Sequence, residues 1–249
     1  MDHSGKKLGL KAVKTDSRTL KLARYMTAEL PAAPPEKAWS SKVGTWGVML
    51  NDTLGDCTIA GCAHAIQVWS ANRYQEITLP DSTILTAYEN WCGYNPSDPA
   101  SDQGGIELDV LNDWRQNGFA GHVLLGYADP SVANVNEVRQ AINLFGGVYI
   151  GLSLPVTAQT QDLWDVTDPS LQGDAAPGSW GGHAVFVCDY DQNGFTCVTW
   201  GELMKMTTAF WHAYVVEAHA LLSQDWFNAT GAPNGFNLNQ LTNDLAMIR

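Results

Sequence analysis

Two segments of the sequence carry the residue types of thiol chemistry, each at a position where local structure would sharpen it. In Asn51-Asp-Thr-Leu-Gly-Asp-Cys57-Thr-Ile-Ala, a cysteine follows a glycine-containing turn and opens a predicted helix. A thiol there meets the positive end of the helix and several backbone N–H groups without helical partners, which favours the thiolate. The same N–H groups can stabilise an oxyanion on a carbonyl that the sulfur attacks. Far downstream, Gly181-Gly182-His183-Ala-Val-Phe-Val places a histidine at the start of an apolar strand, and the glycines before it let backbone or substrate come close. Each residue alone has a plainer use, as a small core thiol or a buried structural imidazole. Together they match an activated cysteine nucleophile with its base, and they predict Cys57 to be the most reactive thiol of the chain.

The surrounding elements must bring the two together. Ile59, Cys62, Ala63, Ile66 and Trp69 recur at helical spacing over 57–72, with Asp56 where an N-cap belongs. Ala60, Gly61 and Ala65 fill its other faces, as in a central helix with backbone packed close on several sides. Further helices are predicted over 82–92, 107–117 (stopped by Gly118) and 134–145 (ended by Gly146-Gly147). Strands follow at 148–154, 184–188 and 195–200, the last two flanking the hairpin signal Asp191-Gln-Asn-Gly194. Phe210, Trp211, Tyr214, Val215, Ala218 and Leu222 predict one more helix over 207–223. Helices first and antiparallel strands later make an α+β pattern.

At these residues the sequence resembles the papain-like cysteine peptidase superfamily, over about residues 30–201 and in its order of motifs. Residues 30–39 resemble the N-terminal segment that crosses the domain. Asn51, six residues before the cysteine, stands where the family keeps a glutamine whose amide donates to the oxyanion. Leu54-Gly55-Asp56-Cys57-Thr58 overlays the cysteine motif, Asp102-Gln103-Gly104-Gly105 the Gly-Gly segment of the substrate cleft, Gly182-His183-Ala184-Val185 the histidine strand, and Trp200-Gly201 the Trp-Gly pair. The resemblance implies a papain-like fold, with a helical half around the Cys57 helix and an antiparallel β half, in a divergent bacterial or phage-type branch. It implies Cys57 as nucleophile, His183 as general base and acid, and an oxyanion hole from the Cys57 N–H and Asn51. Thr199, Trp200, Trp180, Gly104 and Gly105 become histidine-orienting or cleft residues. It implies no cofactor or metal and a peptide or protein substrate.

The departures are specific. Val198 holds the position of the family asparagine that would accept the histidine's second N–H, so that role is vacant or moved to Thr199, a backbone carbonyl or water. Asn51 is one methylene shorter than glutamine. Leu54 replaces a motif cysteine, so the family disulfide cannot form. The helix predicted after Gly201 departs from a family that continues in strand. Two functions therefore stand: a thiol hydrolase cleaving peptide or amide bonds, or a non-catalytic papain-fold protein that binds peptides or assembles through its N-terminal arm.

Composition narrows the partners. The chain has 249 residues, 45% hydrophobic and 16% charged, which buries a core readily and excludes intrinsic disorder. No apolar run is long enough to span a bilayer, no signal peptide is legible, and five cysteines do not form a disulfide framework, so a reduced cytoplasmic protein is expected. Net charge is −12, but residues 1–42 hold nine of the 14 Lys and Arg against four acids. An acidic body repels nucleic acid. The basic arm is expected to lie on its own body or on a neighbouring copy, with a boundary at 35/36 in the Pro-rich linker Leu30–Glu36. Other polar clusters read as structural. Cys57, Cys62 and His64 do not share one helix face, and Cys188 and Cys197 on the hairpin read as core thiols. His212 and His219, seven apart on the predicted late helix, read as surface residues.

Overall fold

The computed structural model describes residues 2–26, 32–73 and 75–227, with positions 239 and 243; Leu30 and Pro31 of the expected linker lie outside these. Helix α1, Cys57–Arg73, is buried at every position from Cys57 to Ser70. Its small residues explain how: a Cβ at Gly61 would stand 2.6 Å from the Tyr149 ring, so only glycine lets the helix lie this close to the sheet. α2 is Asp81–Cys92, α3 is Glu107–Asn117 and α4 is Val135–Phe145, capped by the Asn134 side chain accepting from the Glu137 N–H.

Against these helices lies an eight-stranded sheet. Its strands are β1 (Lys37–Ala38), β2 (Leu124–Ala128), β3 (Val148–Leu154), β4 (Leu163–Trp164), β5 (Gly181–Tyr190), β6 (Gly194–Thr199), β7 (Glu202–Thr207) and β8 (Val215–Ser223). They are ordered β2-β8-β3-β5-β6-β7-β4, with β1 beside β5, and every pairing except β4 with β7 is antiparallel. The core lies between α1 and β3–β5, where Trp69, Phe186 and Tyr149 are fully buried. No helix among the described residues is long and apolar enough to cross a membrane.

The expected late helix is corrected. Only α5, Thr208–Tyr214, is helical, and after it the chain runs as β8 between β2 and β3. β8 is buried at every position except Val216, its polar Glu217 and His219 included, so side-chain polarity along it does not follow burial and hides the strand period. Between Gly201 and α5 the chain continues in strand as β7, so the expected departure from the family's right half disappears. A final short helix, α6, is Gln224–Phe227.

The basic arm lies on its own acidic body. Lys7, Lys14 and Lys21 pair with Asp102, Asp109 and Asp129 at 3.7, 2.5 and 2.9 Å. Leu20, Leu22 and Tyr25 enter the same core as α1 and β3, and the Leu22 N–H donates to the Asp129 carbonyl at 2.9 Å. The arm thus contributes side chains to the domain that the expected boundary at 35/36 separates it from.

Candidate active site

Cys57 is the first residue of α1, and its sulfur accepts a hydrogen bond from the Ala184 N–H of β5 at 3.4 Å. His183 is the residue before Ala184, so the helix terminus and the strand start bring both expected site residues to one place. The imidazole is held from two sides. Nε2 lies 2.7 Å from the Thr199 hydroxyl, and the ring stacks on Trp200 with centroids 4.7 Å apart and 18° between planes. Nδ1 has no hydrogen-bond partner. With Nε2–H donating to Thr199, Nδ1 carries the ring's lone pair.

The hold on the ring comes from a tight hairpin. Thr199 and Glu202 face each other across β6 and β7, so Trp200-Gly201 form a two-residue loop. Both have positive φ, 50° and 80°, as the favoured twisted hairpin turn requires. Glycine accepts this without strain, whereas a tryptophan there costs about 1–2 kcal/mol. The strain aims the indole across His183. Trp180 adds a tilted ring contact to Trp200 at 5.8 Å.

An extended stretch of the arm fills the groove beside this pair. The Leu10 N–H donates to the Gly182 carbonyl at 3.0 Å and the Lys11 N–H to the Gly105 carbonyl at 2.8 Å, while the Gly105 N–H donates to the Gly9 carbonyl at 2.8 Å. The arm therefore hydrogen-bonds both walls, the Gly-Gly segment on one side and the histidine strand on the other. Only glycine passes here: a Cβ on Gly9 would stand 1.7 Å from the Gly55 oxygen, and one on Gly104 1.8 Å from the Gly9 oxygen. Upstream, His3 stacks on Trp200 at 5.0 Å.

Burial by the arm and core sets the charge state. Cys57 has no exposed surface, and burial pushes its thiol up to about 12 against the opposing pull of the Ala184 and Gly9 N–H groups. Burial pushes His183 down to about 3, with repulsion from His64 adding to it. Burial keeps both groups neutral in the arm-covered chain, against the pull of the helix terminus on the thiolate.

Other expected residues fall out as follows. Asn51 is buried, and its amide donates to Asp56 Oδ1 at 3.1 Å, which ties it to the turn before α1. Val198 is buried opposite Phe186. Gly104 and Gly105 line the groove. His64 bonds the Gly47 carbonyl at 2.8 Å, away from Cys62, and both are buried. Cys188 and Cys197 are buried free thiols. His212 is exposed, but His219 is buried on β8 among carboxylates, which the surface reading missed because it rested on the wrong element. The arm's Gly9 also escaped notice, since a glycine between a leucine on each side signals nothing until its groove is seen.

No protein-family profile and no curated protein matches the sequence. Solved structures do. The chain superposes on xylellain, a cysteine protease from Xylella fastidiosa, with TM-score 0.65 at 13% identity, covering 87% of this chain and 96% of that one. Procathepsin L 3 of the Tenebrio molitor larval midgut gives 0.55 at 11% identity, over 86% and 76%. The ragweed pollen allergen Amb a 11, a cysteine protease in its proform, gives 0.53 at 11% identity, over 78% and 68%. The chain has the papain-like cysteine protease fold.

Proposed function

We propose that this chain is a thiol peptidase held latent by its own N-terminal arm. The observation that carries the reading is the arm's extended backbone, hydrogen-bonded to Gly105 and Gly182 in the groove next to Cys57 and His183. A groove that binds one peptide backbone on both walls can bind another. That two of the similar structures are proforms supports a covering role for the arm.

With the arm withdrawn, water reaches the pair and the Cys57 proton passes to His183 Nδ1. The thiolate attacks the substrate carbonyl carbon, and the resulting oxyanion is held by backbone N–H groups at the start of α1, that of Cys57 first. His183 returns the proton to the leaving amine, and water then hydrolyses the thioester with His183 as base. Thr199 takes the positioning role that asparagine holds in the family. Asn51 reaches the oxyanion only if it releases Asp56.

The test is a chain lacking residues 2–15, assayed on fluorogenic peptides beside the full chain and a Cys57→Ser variant. The reading expects hydrolysis in the truncated chain alone, abolished by Cys57→Ser. A second reading, a peptide-binding protein without catalysis, draws on the neutral Cys57–His183 pair and the engaged Asn51 amide. It expects the truncated chain to bind peptides in the groove and cleave none.

A further inference from the structure

Away from the thiol, three buried side chains converge on one point at ion-pair distance, without a hydrogen bond among them. Glu107 opens α3, and Glu217 and His219 alternate on β8. One ligand atom from each lies within 4.8 Å of the others. His219 Nε2 stands 3.5 Å from Glu107 Oε2 and 3.5 Å from Glu217 Oε2, yet hydrogen-bonds to neither. Both oxygens of Glu107, a residue with no exposed surface, are without a hydrogen-bond partner, as is Glu217 Oε1. A buried carboxylate with no partner is costly, so native proteins fill such a position with a proton, a water or an ion.

The spacing selects among these. Nitrogen and oxygen ligands about 2.0–2.2 Å from a tetrahedral zinc ion stand about 3.3–3.6 Å from one another. The two distances at His219 fall in that interval, too long for hydrogen bonds and right for a shared ion. The second nitrogen is arranged as metal-binding histidines arrange theirs: His219 Nδ1 lies 2.7 Å from Asp129 Oδ1, so Nδ1–H donates and Nε2 points at the two glutamates, where a metal ion would replace the proton that the carboxylates otherwise hold there. Asp129 is held in turn by Lys21 at 2.9 Å. Two carboxylates and a neutral imidazole would leave a divalent ion electrically balanced. A cavity of about 490 Å³, lined by the arm residues Val13 and Lys21, reaches Glu217, His219 and Asp129, so two of the three ligands and the positioning carboxylate border open space.

We propose that Glu107, Glu217 and His219 form a divalent transition-metal site of the zinc type, with Asp129 positioning the histidine. The site uses neither Cys57 nor His183, so it stands apart from the peptidase reading. Titrating ZnCl2 into the metal-stripped full chain should give one tightly bound equivalent and a higher melting temperature. Glu107→Gln, which keeps shape and removes the ligand charge, should weaken zinc at least 100-fold. Asp129→Asn, at a partly exposed residue, should weaken it about 10–100-fold. Cys57→Ser should bind zinc as the unaltered chain does, which separates this site from adventitious thiol binding. Absence of stoichiometric zinc in the unaltered chain overturns the proposal. So does affinity that Asp129→Asn and Glu107→Gln both leave unchanged, and Asp129→Asn keeps the test open should Glu107→Gln fail to fold.

Discussion

At residue scale, the Thr199 hydroxyl is the one hydrogen-bond partner of the His183 ring among the described residues. The His183–Thr199 bond is buried, and removing an acceptor from a buried donor leaves that donor's desolvation cost, about 1–3 kcal/mol. Thr199→Val should therefore lower stability by that amount in chemical denaturation and reduce hydrolysis by the truncated chain about tenfold; unchanged values would make the contact incidental. Restoring the family asparagine at Val198 should not help. Val198 has no exposed surface and packs opposite Phe186, so Val198→Asn buries an amide and should destabilise the protein without raising Cys57 reactivity. The buried histidines predict a pH dependence. Burial pushes His64 down to about 4 and His183 to about 3, against an ordinary value of 6.5 in the unfolded chain. Below pH 6.5 the unfolded state takes up protons that the native state refuses, so stability falls as pH drops from 6.5 toward 4, by up to about 1.4 kcal/mol per pH unit for each histidine. His64→Gln removes one such group. Its stability deficit against the unaltered chain should shrink by about 2 kcal/mol between pH 7 and pH 5, and a constant deficit would show that His64 titrates normally.

The arm is the element on which latency turns. Its docking depends on two glycines, Gly9 and Gly104, which meet backbone where no Cβ fits. Gly9→Ala leaves the body untouched but places a Cβ inside the Gly55 carbonyl, so the arm must leave the groove. Mass mapping of iodoacetamide adducts should then show Cys57 labelled at least tenfold faster than in the unaltered chain. Equal labelling would mean that the arm does not cover the thiol. The lysine pairs to Asp102, Asp109 and Asp129 are exposed on the lysine side and each contributes under about 1 kcal/mol, so they set where the arm lies more than how tightly.

On the scale of the whole molecule, the arm divides in two. Residues up to Lys11 fill the groove, while Leu20, Leu22 and Tyr25 complete the core. Deleting 2–15 should keep a cooperative melt. Deleting 2–29 removes fully buried Leu22 and Tyr25 and should cost about 3–5 kcal/mol or more, as large-to-small core changes do. Denaturant midpoints of the two truncations decide it: equal midpoints would mean that the arm is dispensable throughout.

By itself the sequence determined the helices 107–117 and 134–145, the strand 148–154 and the Asn-Gly hairpin. Each of these rests on local signals: period, caps, turn residues and ordered motifs. What only the tertiary structure decided depends on contacts between distant residues. Segment 215–223 became a strand because β2 and β3 pair with both its edges, contacts that no local period records. The histidine's acceptor moved to Thr199 because the Trp200-Gly201 turn aims it there. The thiol is neutral because core and arm together bury it, and no spacing of charges along the chain records which groove an extended segment will fill.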